Sequence, residues 1–196
     1  PAAAGVMADQ PARYVALLRG IAPGGKNMSN ALLRGVAEQL GYLEVGSVIT
    51  SGNVTFTLPA AQRGPEEAAT RAELERAIEA GLQRELGLTS KTLVRSLPQL
   101  QALLASDPFE GLEHSTATYL TVTFVRAPRD PLILGEQPYR RVHVIGYHAP
   151  SQAVLSVADN SEPGAARRYL AWLEREYGTA ITTRSWPTVH RIMARM

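Results

Sequence analysis

Short apolar runs and amphipathic stretches alternate along the chain. Arg13–Arg19 is apolar and stops at Gly20, which predicts a strand. From Asn27 to Leu40, apolar Met28, Leu32, Leu33, Val36 and Leu40 recur at helical spacing, with Asn27 or Ser29 as cap and Gly41 as stop. Val45–Thr50 and Val54–Leu58 flank Ser51-Gly52-Asn53, a hairpin pattern, and Pro59–Pro65 reads as a loop. Glu66–Leu86 is a charged helix with apolar Leu74, Ile78, Leu82 and Leu86, ended by Gly87, and Lys91–Arg95 reads as a strand. The order is βαββαβ, the ferredoxin-like pattern.

The second half repeats that order. Leu97–Ala105 is a linking helix, Thr116–Val125 a strand, and Asp130–Gln137 an unclear connection. Arg140–Tyr147 and Gln152–Val157 flank a His148–Ser151 turn. Pro163–Tyr177 is a helix, Thr179–Thr183 a strand and Trp186–Arg195 a final helix. The repeat is read in element order, not in residues. In the first strand Tyr14, Ala16 and Leu18 face one way and Val15 and Leu17 the other, all apolar, so the face without helices must also be covered. The expected architecture is α+β: two ferredoxin-like (βαββαβ) halves packed into one compact unit with an extra C-terminal helix. Residues 1–12 read as a flexible leader, 13–96 as the first half, 97–115 as a linking helix and loop, and 116–196 as the second half with the terminal helix.

Composition narrows the function classes. The 196 residues are 45% hydrophobic and 19% charged with net charge +2, so electrostatics alone call for neither DNA nor membrane. There is no cysteine, which excludes disulfides, thiol catalysis and thiolate metal sites and suits the cytoplasm. No stretch is apolar enough to span a membrane. The cations are mostly Arg; Lys26 and Lys91 are the only lysines.

Candidate chemistry gathers at the loop after the first strand. Gly20-x-x-x-x-Gly25-Lys26 nearly matches a phosphate-binding loop, but Asn27 stands where the Mg²⁺-ligating Ser or Thr should be. No strand ends in a suitably placed Asp, so a nucleotide loop is rejected. In a βαββαβ sheet, strands one and two run the same way. Gly24, Gly25, Lys26 and Asn27, then Ser51 and Asn53, then Lys91 should therefore meet at one end of the sheet. Free amides, two lysines and several hydroxyl and amide groups there suit an anionic small molecule such as a phosphate or carboxylate. The competing account is turn geometry alone.

His143 and His148 are five apart, an odd offset that should place them on opposite faces, and His114 and His190 stand alone; no metal or other cofactor is expected. Glu66-Glu67 and Glu73-Glu75 read as a solvated face. No nucleophile motif appears, and the sequence alone assigns no reaction; an enzyme using the same loop site, with Lys26 or Lys91 as electrostatic catalyst, is one alternative. Residues 165–196 carry six Arg and two Glu with Tyr169, Trp172 and Trp186, which raises nucleic acid as an alternative partner, although aromatics at helical spacing are more often core. Only Tyr14 and Phe56 could stack RNA bases on the first sheet. A monomer is the expectation.

Several of these stretches taken together, Tyr14–Ile21, Gly24–Asn27, Ser51–Val54, and Thr182–Arg184 with Trp186, Thr188 and Val189, resemble the bacterial domain-of-unknown-function family 1697 from about Arg13 to Ala194. That resemblance implies a cytoplasmic protein of two ferredoxin-like halves and no assigned activity. The family pattern has Asn and an apolar residue where this chain has Ala22-Pro23, and Asn on both sides of the Trp where it has Ser185 and Pro187. Arg184, Ser185, Trp186 and Thr188 thus form a second candidate patch. Pro187 also suits the first turn of the last helix, with Ser185 as its cap.

Overall fold

The structure is a computed structural model that describes residues 12–50, 52–126, 142–159, 161 and 164–196. Ser51, nearly all of the expected leader and the Asp130–Gln137 connection lie outside the described residues.

The first sheet contains β1 (Ala12–Leu18), β2 (Leu43–Ser47), β3 (Asn53–Leu58) and β4 (Thr92–Ser96) in the order β2-β3-β1-β4. Every neighbouring pair is antiparallel. Helices α1 (Asn30–Gln39) and α2 (Glu67–Leu86) complete this half, with a short 3-10 turn at Ala60–Gln62 inside the expected loop. The second sheet contains β5 (Thr118–Val125), β6 (Val142–His148), β7 (Ala153–Asp159) and β8 (Ile181–Ser185) in the matching order β6-β7-β5-β8, again antiparallel. It carries α4 (Ala165–Tyr177). Helix α3 (Leu97–Ala105) follows β4, and α5 (Trp186–Met193) follows β8. The fold is mixed α+β, with two four-stranded antiparallel sheets and five helices among the described residues.

Local chemistry explains most element ends. Ser29, not Asn27, caps α1 by accepting from the Leu32 amide. The φ of Asn27 is 60°, and its side chain donates to Leu86 O, which ties the loop to the end of α2. Gly87 ends α2 in the left-handed conformation. Ser96 forms a capping box with Gln99, Ser185 caps α5 through Thr188, and a proline follows in the first turn of each helix.

The alternation in β1 has its expected consequence. Tyr14, Ala16 and Leu18 pack with Leu33, Val36, Leu74, Ile78 and Leu82 of the two helices. Val15 and Leu17 point the other way, into a core shared with Leu100 and Leu103 of α3, Leu120, Val122 and Phe124 of β5, and Trp186, Val189 and Ile192 of α5. Helices α3 and α5 thus join the second sheet in covering the bare face. The third core, under α4, is built on Val125, Val154, Leu173 and Ile181.

Two expectations need correction. Helix α2 is not a plain solvated face: Glu75 and Arg71 are buried on it, because Glu75 accepts the Val94 amide of β4 and pairs with Arg126. The odd-offset rule fails for His143 and His148. A bulge between Val144 and Gly146 shifts the register, so they pair with Val157 and Ala153, four apart and on one face. His148 is occupied by Ser151, whose Oγ lies 2.7 Å from Nδ1.

Candidate functional site

The ends of β1, β2, β3 and β4 do meet. Leu18 N donates to Gly52 O at 2.9 Å, Arg19 N to Lys91 O at 2.9 Å, and Val48 N to Asn53 O at 3.0 Å. Lys91 is exposed at this end, and Lys26 is exposed on the loop after β1. Three of the loop amides are occupied, however: Gly25 N donates to Ala22 O, Met28 N to Gly25 O, and Ala22 N to Met28 Sδ. A Cβ on Gly25 would stand 2.4 Å from Met28 Sδ, so this glycine admits the methionine beneath the loop. A Cβ on Gly52 would meet Ile21 at 2.8 Å, and its φ of 76° favours glycine as well. Packing accounts for both glycines, and the antiparallel neighbours of β1 rule out the parallel core of a nucleotide loop.

Asn53 has a role that the sequence did not reveal. It is buried, its amide donates to Val48 O, and its Oδ1 accepts from Arg184 Nε at 2.6 Å. Arg184, on β8 of the other half, also donates to Leu18 O at 2.9 Å, Gly52 O at 3.4 Å, Thr182 Oγ1 at 2.7 Å and Thr183 O at 3.0 Å. Burial pulls its pKa down to about 10, so it stays charged at neutral pH.

Arg95 makes the mirror-image connection. From β4 it donates to Ser151 O at 2.7 Å, to Gln152 O at 3.4 Å and to Val125 O, and lies 5.5 Å from the Phe124 ring centre. It is fully buried, 4.0 Å from Glu75, and desolvation brings its pKa down to about 9. The surrounding bonds repeat: Val125 N to Gln152 O at 2.9 Å and Arg126 N to Ala180 O at 3.1 Å match those of Leu18 and Arg19. Arg19 pairs with Glu174 of α4 at 2.8 Å, and Arg126 pairs with Glu79 of α2. A short sequence signal marks this internal two-fold: Arg95-Ser96-Leu97-Pro98 against Arg184-Ser185-Trp186-Pro187. Each motif combines an arginine that crosses to the other half with a serine that caps the next helix.

Beside the Arg184 crossing lies a cleft of about 360 Å³ between the halves. Leu18, Gly20 and Ile21 contribute from the first half; Tyr119, Thr121, Tyr169, Leu170, Thr183, Arg184, Ser185 and Thr188 from the second. Three residues of the second candidate patch, Arg184, Ser185 and Thr188, line this cleft together with Gly20 and Ile21, which precede the first candidate site in the loop after β1. Its sheet face is rich in hydroxyls: Thr123 and Thr183 Oγ1 are 2.8 Å apart, Ser156 bonds the Tyr169 hydroxyl, and Thr121 donates to Ser156 O at 3.5 Å. Burial pushes the Tyr169 phenol above its ordinary range, which keeps it protonated. Gly24, Gly25, Lys26, Asn27, Asn53 and Lys91 lie outside the lining, and so does Trp186, whose ring packs against Phe109 in the core, centroids 5.1 Å apart. Tyr14 and Phe56 are buried under the first half's helices and offer no base-stacking surface.

The family described as "Protein of unknown function (DUF1697)" matches residues 12–143. The chain belongs to this family. Its fold is similar to that of a solved structure, "conserved bacterial protein SP0830 from Streptococcus pneumoniae", with a TM-score of 0.64 and 21% identity over 95% of this chain and 99% of that one. No curated relative matches the chain. The DUF1697 match covers the Gly20–Asn27 loop, Asn53 and Arg95, and it stops short of Arg184 and the helix that follows. No described helix of this family member is long and apolar enough to cross a membrane.

Proposed function

We propose that this DUF1697 protein binds a small anionic molecule, a carboxylate or phosphate, in the cleft between the loop after β1 and the β8–α5 junction. The observation that carries the reading is the meeting of Gly20 and Ile21 with Arg184, Ser185 and Thr188 around one cavity. Its volume of about 360 Å³ suits a small ligand. The Arg184 charge and the N-terminal end of α5 give it positive potential. Hydroxyls of Tyr119, Thr183 and Thr188 supply donors, and Ile21 and Leu170 supply an apolar wall. Lys26 stands outside the lining and is assigned no direct contact. The absence of cysteine agrees with a cytoplasmic setting, and the strand order of each sheet agrees with reading the halves as ferredoxin-like.

The nucleic-acid alternative retains the exposed Arg167, Arg175, Arg191 and Arg195, but Tyr169 and Trp186 are in the core. A thermal-shift panel of organic acids, phosphates and nucleotides tests the reading. A carboxylate or phosphate should raise the midpoint of the wild type and of Lys26→Ala, and not of Thr183→Val. No response from the wild type, or an unchanged response in Thr183→Val, contradicts it.

A further inference from the structure

The internal two-fold places a second cleft, of about 410 Å³, at the matching junction, where α2 faces the end of β5 and the β6–β7 turn. Its chemistry differs. Arg71, Glu75 and Arg76 of α2, Arg126 and Gln152 line it, and the small side chains of Ala68 and Ala72 leave it open. Arg71 is nine-tenths buried; one of its terminal nitrogens donates to Gln152 Oε1 at 3.3 Å, and its Nε lies 3.7 Å from Glu67. Arg126 is anchored by Glu79 and by Thr92 O at 2.7 Å. Its Nε is 3.2 Å from Glu75 Oε2 without hydrogen-bond geometry. Among the described residues, the Nε–H groups of Arg71 and Arg126 are thus both buried donors without a hydrogen-bond acceptor, on guanidinium groups that line one cavity. Buried donors normally find acceptors, and guanidinium groups match the oxygens of phosphate.

We propose that this second cleft binds a phosphate group, with Arg71 and Arg126 as its main donors. Gln152 fixes the Arg71 side chain, and Arg76 closes the open side. Four carboxylates surround the site. Glu73 and Arg76 form a pair that is about seven-tenths exposed on both sides, and Arg76 can leave it at little cost. Glu67 lies 3.7 Å from Arg71 Nε and is half exposed, and Glu79 binds Arg126 through a terminal nitrogen, not through Nε. Glu75 is the carboxylate that would face the ligand, and burial raises its pKa, which eases the approach of an anion. The reading stands apart from that of the hydroxyl-lined cleft.

Titration calorimetry with inorganic phosphate and with methyl phosphate, at constant ionic strength, tests it. Binding is expected in the wild type and in Thr183→Val, stronger in Glu75→Gln, and weaker by about tenfold or more in Arg71→Gln, the loss typical of a charged hydrogen bond. Equal binding of the two probes indicates free phosphate, and tighter methyl phosphate indicates a monoester. Ala72→Leu, at an exposed position, should block the cleft if Arg71→Gln does not fold. No binding by the wild type, undiminished binding in both Arg71→Gln and Ala72→Leu, or loss in Thr183→Val instead, overturns the proposal.

Discussion

Arg95 and Arg184 occupy the same place in the two halves, and each crosses to hydrogen-bond the end of the other half's central strand, at Val125 O and Leu18 O respectively. This exchange is polar and buried; Arg184 lines the first cleft, and Arg95 bonds the backbone of Gln152, which lines the second. An arginine suits the task because its five N–H donors spread in a plane and reach several carbonyls at once.

Arg184→Met should therefore cost at least about 3 kcal/mol of stability, because Asn53 Oδ1 and the Leu18 and Gly52 carbonyls lose a charged donor inside the protein. Denaturant unfolding gives the number. Arg184→Lys should recover only part of it. A double-mutant cycle with Asn53→Ala should show a coupling of about 1.5–3 kcal/mol; a coupling near zero contradicts the hub.

The outer ion pair behaves differently. Arg19 and Glu174 are each about one-third exposed, so solvent screens them. Glu174→Gln should change stability by less than about 1 kcal/mol, and less still at high salt. A loss as large as that of Arg184→Met would mean that the halves depend on this pair instead.

Gly52→Ala should destabilise by about 2 kcal/mol, combining a left-handed backbone with the clash against Ile21. Gly24→Ala, also at positive φ but with open space around its Cβ, should cost only about 1 kcal/mol. Equal losses in chemical denaturation would remove the packing explanation for the Gly52-Asn53 turn.

Glu75 gives a pH signature. Its folded-state pKa lies above the ordinary 4.5, mainly from burial, so the folded protein holds this proton more tightly than the unfolded chain does. The group's contribution is therefore greatest below pH 4.5 and declines as pH rises through the folded-state value. Relative to wild type, Glu75→Gln should show a flatter fall in stability above pH 4.5. Unfolding curves from pH 4 to 7 check this; parallel curves contradict the shift.

Much of the fold was legible because it rests on apolar period and punctuation. The range of α3 is the one expected, α2 and both hairpins fall within a few residues, and the two apolar faces of β1 announced a covered sheet. The shared end of β1, β3 and β4 followed from strand order. The arginine exchange was not legible. Arg95 and Arg184 sit on strands where a charged residue reads as solvent-facing, and their acceptors are carbonyls that carry no sequence signature. Glu75 was hidden the same way, as one acid among many on α2. The bulge beside Gly146 broke the period-two rule behind the reading of His143 and His148. The hydroxyl-lined cleft could not be seen because it joins residues over 160 positions apart, from Gly20 to Arg184. The matching Arg-Ser-x-Pro motifs were the available clue.

The most direct measurement is backbone NMR of the protein titrated with the acid or phosphate selected by thermal shift. Amide shifts concentrated at Gly20, Ile21, Thr183, Ser185 and Thr188 are the predicted result. Shifts confined to Lys26 and Lys91, or spread over the exposed Arg191 and Arg195 at the C-terminal end, would contradict the cleft as the binding site.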